Sequence, residues 1–279
     1  MSNPRCFFEK ELPSDLSILD QLYPILQGWC AEAGLGFAEG HRVIVAVSEA
    51  VTNAVIHATP ETNASSVRVG LWIDDTTLTA EIGDHGQWGW TPPEPPTPDE
   101  WERTGGRGLE LIRRLAESYS IGPREGGGTL VRMSFKIDHQ QHNHNGAAYP
   151  RADEGGRQMD SRVESFNDVD VIRVSGRIDL VTSNTLKDTI RERLQRQRSK
   201  IVLNMERVDF INSSGLGAMV SILKDVRLSG GRLVLSNLAP YVQEIFEITQ
   251  LANVFDIFGT EADAVSALSE SKAAVGTSS

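Results

Sequence analysis

The chain has 279 residues, with 27 Lys and Arg against 38 Asp and Glu, and a formal net charge of −11. At about 150 residues per domain, this length predicts two domains, and the acidic balance argues against a nucleic-acid-binding surface. Two cysteines, no secretory signal and no long apolar stretch lead us to expect a cytoplasmic protein without a membrane contact.

The first half predicts a helix layer on a mixed, mostly antiparallel sheet, an α+β sandwich. The assignment rests on period-two and helical spacing of apolar residues, separated by Gly- and Pro-rich punctuation. In chain order we expect an edge strand at 6–12, helices at 18–29 and 39–58, strands at 67–73 and 78–84, a proline-rich loop, a helix at 109–116, and strands at 119–121 and 129–137.

Three polar residues share one face of the second predicted helix. Glu49, Asn53 and His57 follow one another at intervals of four residues, which is about one helical turn. A carboxylate and a carboxamide at this spacing offer oxygen ligands suited to Mg²⁺, and a carboxylate beside that ion can orient or deprotonate a nucleophile. The same spacing is common on solvated helix faces, so both interpretations stay open.

Three further short motifs offer contacts to a nucleotide. Asp84 ends a strand two residues before Gly86, and could accept a hydrogen bond from an adenine amino group. Gly106 and Gly108 precede a predicted helix, where backbone N–H groups are available to phosphate. Thr129 follows three glycines and offers a hydroxyl near the same pocket. Each motif is also typical of ordinary turns and strands.

The order and spacing of these motifs resemble the Bergerat-fold (GHKL) ATPases. Within that superfamily, SEAVTNAVIHA at 48–58 is most similar to the anti-sigma-factor serine/threonine kinases. The resemblance covers nearly all of residues 1–138 and implies a Bergerat-fold sandwich that binds Mg²⁺ and ATP and forms a homodimer. It implies the following roles: catalytic carboxylate Glu49, Mg²⁺ ligand Asn53, adenine-pocket residues Asp84 and Gly86, ATP-lid residues Gly106 and Gly108, and nucleotide-binding residue Thr129.

The chain departs from that family pattern beside the adenine motif. Where the family carries the second glycine of Asp-x-Gly-x-Gly, this sequence has Trp88, and Gly89 follows one position late. The departure concerns the shape of the adenine pocket and the affinity for nucleotide.

A change of composition separates the two halves. Residues 139–161 contain no Val, Ile, Leu, Phe or Trp, so they cannot bury enough apolar surface to offset their ordering entropy. We expect a flexible linker there, between domains at 1–138 and 162–270, with a disordered tail at 271–279.

The second half predicts an α/β domain, because strands and helices alternate. In chain order we expect a strand at 169–174, a helix at 183–197, a strand at 200–204, a helix at 214–229, a strand at 232–236, and helices at 240–248 and 262–269.

Two adjacent serines precede the longest helix of this half. Ser213 or Ser214 is predicted to be the N-cap, with an exposed hydroxyl at which the helix dipole would stabilise a phosphate. Ser-Ser-Gly is more often a plain N-cap. The surrounding segment 200–222 closely resembles the STAS domain of anti-sigma-factor antagonists, which implies that Ser213, or as second choice Ser214, is the phosphoacceptor. Asn212 replaces the usual acidic residue of that family.

Together the two resemblances imply a bacterial partner-switching regulator, in which an ATP-dependent protein serine/threonine kinase is fused to a STAS domain. The implied partners are a STAS-domain antagonist in cis or in trans, a sigma factor, and a metal-dependent serine phosphatase. Two alternatives stay open. One is a catalytically inactive nucleotide-binding scaffold that acts through its STAS domain, and the other is plain ATP hydrolysis in a chaperone- or gyrase-like role.

Overall fold

The computed structural model describes residues 6–15, 17–57, 66–85, 107–137 and 159–269. The chain divides into two compact units, Met1–Gly156 and Arg157–Ser279. Most of the predicted linker, at 139–158, lies outside the described residues, and the exact domain limits stay a prediction.

In those described ranges, no helix is both long and apolar enough to cross a lipid bilayer.

Unit 1 contains, among its described residues, a five-stranded antiparallel sheet in the order β1–β2–β3–β5–β4. This confirms the predicted α+β architecture. The strands are β1 (Cys6–Pro13), β2 (Ser66–Asp74), β3 (Thr77–Gly83), β4 (Ser118–Pro123) and β5 (Thr129–Lys136). The helices are α1 (Ile18–Glu32), α2 (Phe37–His57) and α3 (Arg107–Leu115).

Helix α2 is the central helix of unit 1. It packs against α1, α3 and strands β2, β3 and β5. Alternation along β2 buries Val67, Val69, Leu71 and Ile73, the pattern expected for a strand with one face on a core. The helix that carries Glu49 is therefore anchored to the sheet by the main hydrophobic core of this unit.

Unit 2 contains, in its described part, a five-stranded mixed sheet in the order β10–β9–β8–β7–β6. All neighbouring strands are parallel except β6 and β7, which confirms the predicted α/β class. The strands are β6 (Asp160–Phe166), β7 (Val169–Ile178), β8 (Lys200–Ile211), β9 (Arg232–Ser236) and β10 (Ile257–Phe258). The helices are α4 (Ser183–Gln195), α5 (Ser213–Leu228), α6 (Pro240–Ile248) and α7 (Glu261–Ser269).

Four strands of unit 2 differ from the sequence prediction: β7 continues to Ile178 rather than ending at 174, and the two-residue strand β10 was not predicted. The other two are β6 and β8. Strand β6 was not predicted; it is an edge strand with nearly every side chain exposed, so no apolar alternation marks it. It starts at Asp160, inside the residues assigned to the linker. Strand β8 continues to Ile211 rather than ending at 204, because the exposed pair Glu206 and Arg207 interrupts its apolar run without ending the strand.

A buried carboxylate joins the start of β7 to the loop before β8. Asp170 is fully buried, and its Oδ1 accepts hydrogen bonds from Ser165 Oγ at 2.7 Å and Arg198 Nε at 2.9 Å. Arg198 also donates to the carbonyl oxygens of Asn167 and Val169. Burial alone would raise the pKa of Asp170, but the hydrogen bonds from Arg198 and Ser165 outweigh it and hold that pKa below its ordinary value.

We expect Arg198→Ala to lower the free energy of unfolding of unit 2 by about 3 kcal/mol at pH 7, because it leaves a buried carboxylate without its cation. The folded-state pKa of Asp170 is depressed. The pairing therefore stabilises the fold above the unfolded-state pKa of about 4 and is lost as pH falls through the folded-state pKa, so the difference between variant and native chain should shrink below about pH 4.

The sequence allows the two units to be measured separately. All five tryptophans precede residue 102, so their fluorescence follows unit 1, whereas far-UV circular dichroism follows both units. We expect the loss of stability in Arg198→Ala to appear in the unfolding followed by circular dichroism and not in the unfolding followed by tryptophan fluorescence. Arg196→Ala is the matched control, since that guanidinium is exposed and bonds to Glu192, and should change stability by less than about 0.5 kcal/mol. Equal losses in the two variants would contradict the assigned role of Arg198.

Candidate functional site

The first part of the candidate site lies on α2. Glu49 is only 1% exposed, and Asn53, one turn later, is half-buried. Carboxylates are rarely buried to this degree unless other groups stabilise them, so Glu49 is not part of a solvated helix face. His57 ends the helix, and its side chain lies outside the described residues.

The second part of the site is the turn after β3, the strand against which α2 packs. Asp84 is held there through three of its atoms by the hairpin between β4 and β5. Its N–H donates to Thr129 O at 3.0 Å, its Oδ1 accepts from Thr129 N–H at 3.0 Å, and its carbonyl oxygen accepts from Arg124 Nη1 at 3.2 Å. The structure thus brings together two predicted site residues, Asp84 and Thr129.

A glycine permits this close approach. Gly128 has a φ of +90°, and a Cβ placed on it would lie 2.1 Å from Asp84 O and 2.9 Å from Asp84 Oδ1. Its neighbours Gly126 and Gly127 also have positive φ, but open space surrounds their Cβ positions. The sequence interpretation treated the three glycines only as a flank of Thr129. The glycine run itself was the available signal, but it does not say which of the three is in contact.

The predicted lid is described only in part. Gly86 and Gly106 lie outside the described residues, so their predicted roles stay predictions. Gly108 was predicted to precede the helix, but α3 begins at Arg107, so Gly108 belongs to its first turn and is buried. Its N–H is still one of the first-turn groups that have no partner within a helix. Because α3 packs on α2, the helix after the lid adjoins the helix that carries Glu49.

A buried carboxylate also fixes the charges of α3. Glu110 is 6% exposed and accepts hydrogen bonds from Arg113 Nε at 2.8 Å and Arg114 Nε at 2.5 Å. Burial would raise the pKa of Glu110, but these two bonds outweigh it and lower the pKa below its ordinary value. Glu110 is therefore an anion that binds the two guanidinium groups three and four residues later on α3.

The predicted serines of unit 2 lie at the start of α5. The prediction that Ser213 or Ser214 is the N-cap is wrong: the N-cap is Asn212, whose Oδ1 accepts a hydrogen bond from Gly215 N–H at 3.0 Å. Ser213 and Ser214 are the first two helical residues and are half-buried rather than exposed. Asn is among the strongest N-cap residues, so the sequence did contain the signal.

The start of α5 is tightly packed against the end of β7. A Cβ on Gly215 would lie 2.1 Å from Ile178 O, and that same carbonyl accepts from Asn212 N–H at 3.4 Å. On either side of Ile178 are the buried side chains of Arg177 and Asp179, whose Nε and Oδ2 are 3.7 Å apart. The serines are thus fixed to a rigid strand end rather than to a loose loop.

The oxygen donors on α2 suit a Mg²⁺ ion. Among the described residues there is no cluster of three or more His, Cys, Asp or Glu that could hold a metal. Mg²⁺ does not need such a cluster, since it usually keeps several waters and takes further oxygens from phosphate. A half-buried carboxamide beside a buried carboxylate fits this way of binding.

Comparison with known proteins matches each unit to a family. The model described as "Histidine kinase-like ATPase domain" matches residues 12–135, and "STAS domain" matches 161–264. The chain is 28% identical to the anti-sigma F factor antagonist of Paenibacillus polymyxa, covering 38% of this chain and 92% of the relative. It is 32% identical to the anti-sigma-B factor antagonist of Bacillus subtilis, covering 34% and 84%. It is 27% identical to the serine-protein kinase RsbW of Oceanobacillus iheyensis, covering 48% and 89%.

We expect Gly128→Ala to destabilise unit 1 by about 2 kcal/mol more than Gly126→Ala does. Both variants place alanine at a φ near +90°, so both carry the same backbone strain, but only the first forces a methyl group against Asp84 O. Denaturant unfolding followed by tryptophan fluorescence measures the difference. Equal losses in the two variants would show that the contact with Asp84 is not tight.

We expect Asn212→Ala to destabilise unit 2 by about 1 kcal/mol, because the Gly215 N–H loses its capping acceptor. Asn212→Asp is the matched control: it keeps the acceptor and puts a negative charge at a helix N-terminus, so its loss should stay under about 0.5 kcal/mol. Far-UV circular dichroism during urea unfolding measures both. A larger loss for Asp than for Ala would contradict the capping role.

Proposed function

We propose that unit 1 is an ATP-dependent serine kinase. The premise is that this chain belongs to the STAS-domain family of anti-sigma factor antagonists and joins such a domain to a histidine kinase-like ATPase domain. The substrate of the kinase is a STAS-domain serine of the kind that unit 2 carries. The observation that carries the proposal is the burial of Glu49, one turn before Asn53, on a helix packed against the strand that leads to Asp84.

In the proposed phosphoryl transfer, Asn53 and Glu49 have separate roles. Asn53 would hold Mg²⁺, which when bound neutralises charge on the phosphate oxygens. Glu49 orients the serine hydroxyl and accepts its proton. The serine Oγ forms a bond to the γ-phosphorus as the bond from that phosphorus to the bridging oxygen breaks, and ADP leaves. Most of the rate enhancement comes from holding the two reactants in line.

The adenine would be recognised at the turn after β3. The Asp84 carboxylate can accept a hydrogen bond from the adenine amino group. Its Oδ1 already accepts from Thr129 N–H, which fixes the carboxyl group in one orientation. A fixed acceptor recognises a base with less loss of entropy than a mobile one would.

Ser213 is the proposed phosphoacceptor, and its place in the first turn of α5 gives phosphorylation a clear effect. The phosphate adds nearly two negative charges where the helix dipole favours them. The same charges oppose docking on unit 1, since residues 1–138 carry 11 basic and 20 acidic side chains. An unmodified STAS domain therefore binds the kinase and a phosphorylated one is released. A metal-dependent serine phosphatase would reset the switch, and an alternative sigma factor would be its final target.

We expect phosphate on Ser213 when the purified chain is incubated with Mg-ATP and examined by phosphosite mass spectrometry. Glu49→Gln should lower the rate at least about 100-fold, because the variant cannot accept the hydroxyl proton. Glu39→Gln is the matched control on the same helix; its carboxylate accepts from Gly36 N–H at the helix start. Ser213→Ala should abolish the signal, and Ser214→Ala should keep it.

The other outcomes identify different functions. If Ser213 stays unmodified while ATP binds and a separate STAS protein is phosphorylated, the target lies in trans and unit 2 is a regulator. If ATP does not bind, the kinase assignment is wrong and a scaffold that acts through its STAS domain replaces it. Trp88, at the position of a family glycine, is the sequence feature that favours this alternative.

A further inference from the structure

We propose that Arg124 is a positioning residue for the nucleotide base. It holds the turn that carries Asp84, and so fixes the carboxylate that distinguishes adenine from guanine. This inference rests on the proposed function, because it requires that unit 1 binds ATP through Asp84.

The geometry of Arg124 supports this role. The residue lies in the hairpin between β4 and β5, and its Nη1 donates to Asp84 O at 3.2 Å. The same Nη1 lies 3.0 Å from Nε2 and 3.3 Å from Nδ1 of His85. The aliphatic part of the side chain passes Gly83, where a Cβ would come within 3.3 Å of Arg124 Cδ. One side chain therefore contacts three successive residues at the end of β3.

The hairpin also holds Arg124 itself in place. Its N–H donates to Gly128 O at 3.0 Å, and its carbonyl oxygen accepts from Gly127 N–H at 3.1 Å. Thr129, which follows Gly128, donates its N–H to the Asp84 carboxylate. Arg124 and Thr129 thus approach Asp84 from one rigid support, the first through the carbonyl oxygen and the second through the carboxylate.

Arg124 donates to the carbonyl oxygen of Asp84 and not to its carboxylate, and this difference matters for binding of the base. A guanidinium bound to the Asp84 carboxylate would occupy the acceptor that the base needs. By donating to the carbonyl oxygen instead, Arg124 restrains the backbone of the turn. Adenine offers an amino group to this carboxylate, whereas guanine presents a carbonyl oxygen at the equivalent position, which a fixed carboxylate repels. Loosening the turn should therefore weaken ATP binding and reduce discrimination against GTP.

The test is the ratio of the dissociation constants of Mg-GTP and Mg-ATP, measured by titration calorimetry on the full chain. Arg124→Ala should raise the Kd for ATP roughly tenfold, as expected for one lost charge-assisted hydrogen bond, and change the Kd for GTP much less. Arg124→Lys should restore part of the ratio, because an ammonium group can still donate to Asp84 O. If the role of Arg124 were only to stabilise unit 1, its substitution would weaken the binding of both nucleotides equally.

Arg132→Ala is the matched control. This arginine lies on β5, is exposed, and pairs with Glu81, so both dissociation constants should stay as in the native chain. If Arg124→Ala fails to fold by tryptophan fluorescence, the ratio for Arg124→Lys decides alone, and an unchanged ratio there overturns the inference. If Arg124→Ala leaves both dissociation constants unchanged, or raises both by the same factor, the inference is overturned as well, while the proposed function stands. If the native chain binds neither nucleotide, both fall.

Discussion

The closest backbone approaches in both candidate sites occur at glycines. In unit 1 the Cβ position of Gly128 is 2.1 Å from Asp84 O, and in unit 2 that of Gly215 is 2.1 Å from Ile178 O. A methyl group at either position would have to push the neighbouring carbonyl oxygen away by at least about 0.9 Å, since real Cβ contacts are essentially never shorter than 3.0 Å. The first approach lets Thr129 reach the Asp84 carboxylate, and the second sets α5 directly on the end of β7. A backbone contact at a glycine therefore positions the predicted site residue Asp84 in unit 1 and the helix start that carries Ser213 in unit 2.

The sequence predicted those elements whose pattern is local. Strand β9 and helix α6 have the predicted limits, because a short run of buried residues marks the strand and Pro240 marks the start of the helix. The start of α5 was assigned to the serines, although the stronger capping residue, Asn212, stands directly before them. Edge strand β6 could not be found in this way, because its side chains face solvent on both sides and its position depends on pairing with β7.

The candidate site in unit 1, like the fold, was predictable from the sequence only in part. Helical spacing places Glu49 and Asn53 on one face of α2, their roles come only from the family resemblance, and the structure adds that Glu49 is buried. Asp84 and Thr129 are 45 residues apart in the sequence, and the register of β3 with β5 brings them together. No local pattern contains that pairing; only the order of the motifs suggested it. Arg124 had no signal at all, because a single arginine in a hairpin is ordinary and its role depends on the turn it faces.

The position of Ser213, the proposed phosphoacceptor, would separate the effect of a phosphate on folding from its effect on binding. Within unit 2 a phosphate on Ser213 would meet the N-terminus of α5, and Asn212, which is uncharged, adds no repulsion where an acidic residue would. The modification should therefore cost the fold little. On the proposed function, docking on unit 1 would bring the same two charges against an excess of carboxylates, which is unfavourable. A modification that leaves the domain intact but weakens its docking is what a reversible switch between partners requires, because the released STAS domain must remain folded to bind the next partner.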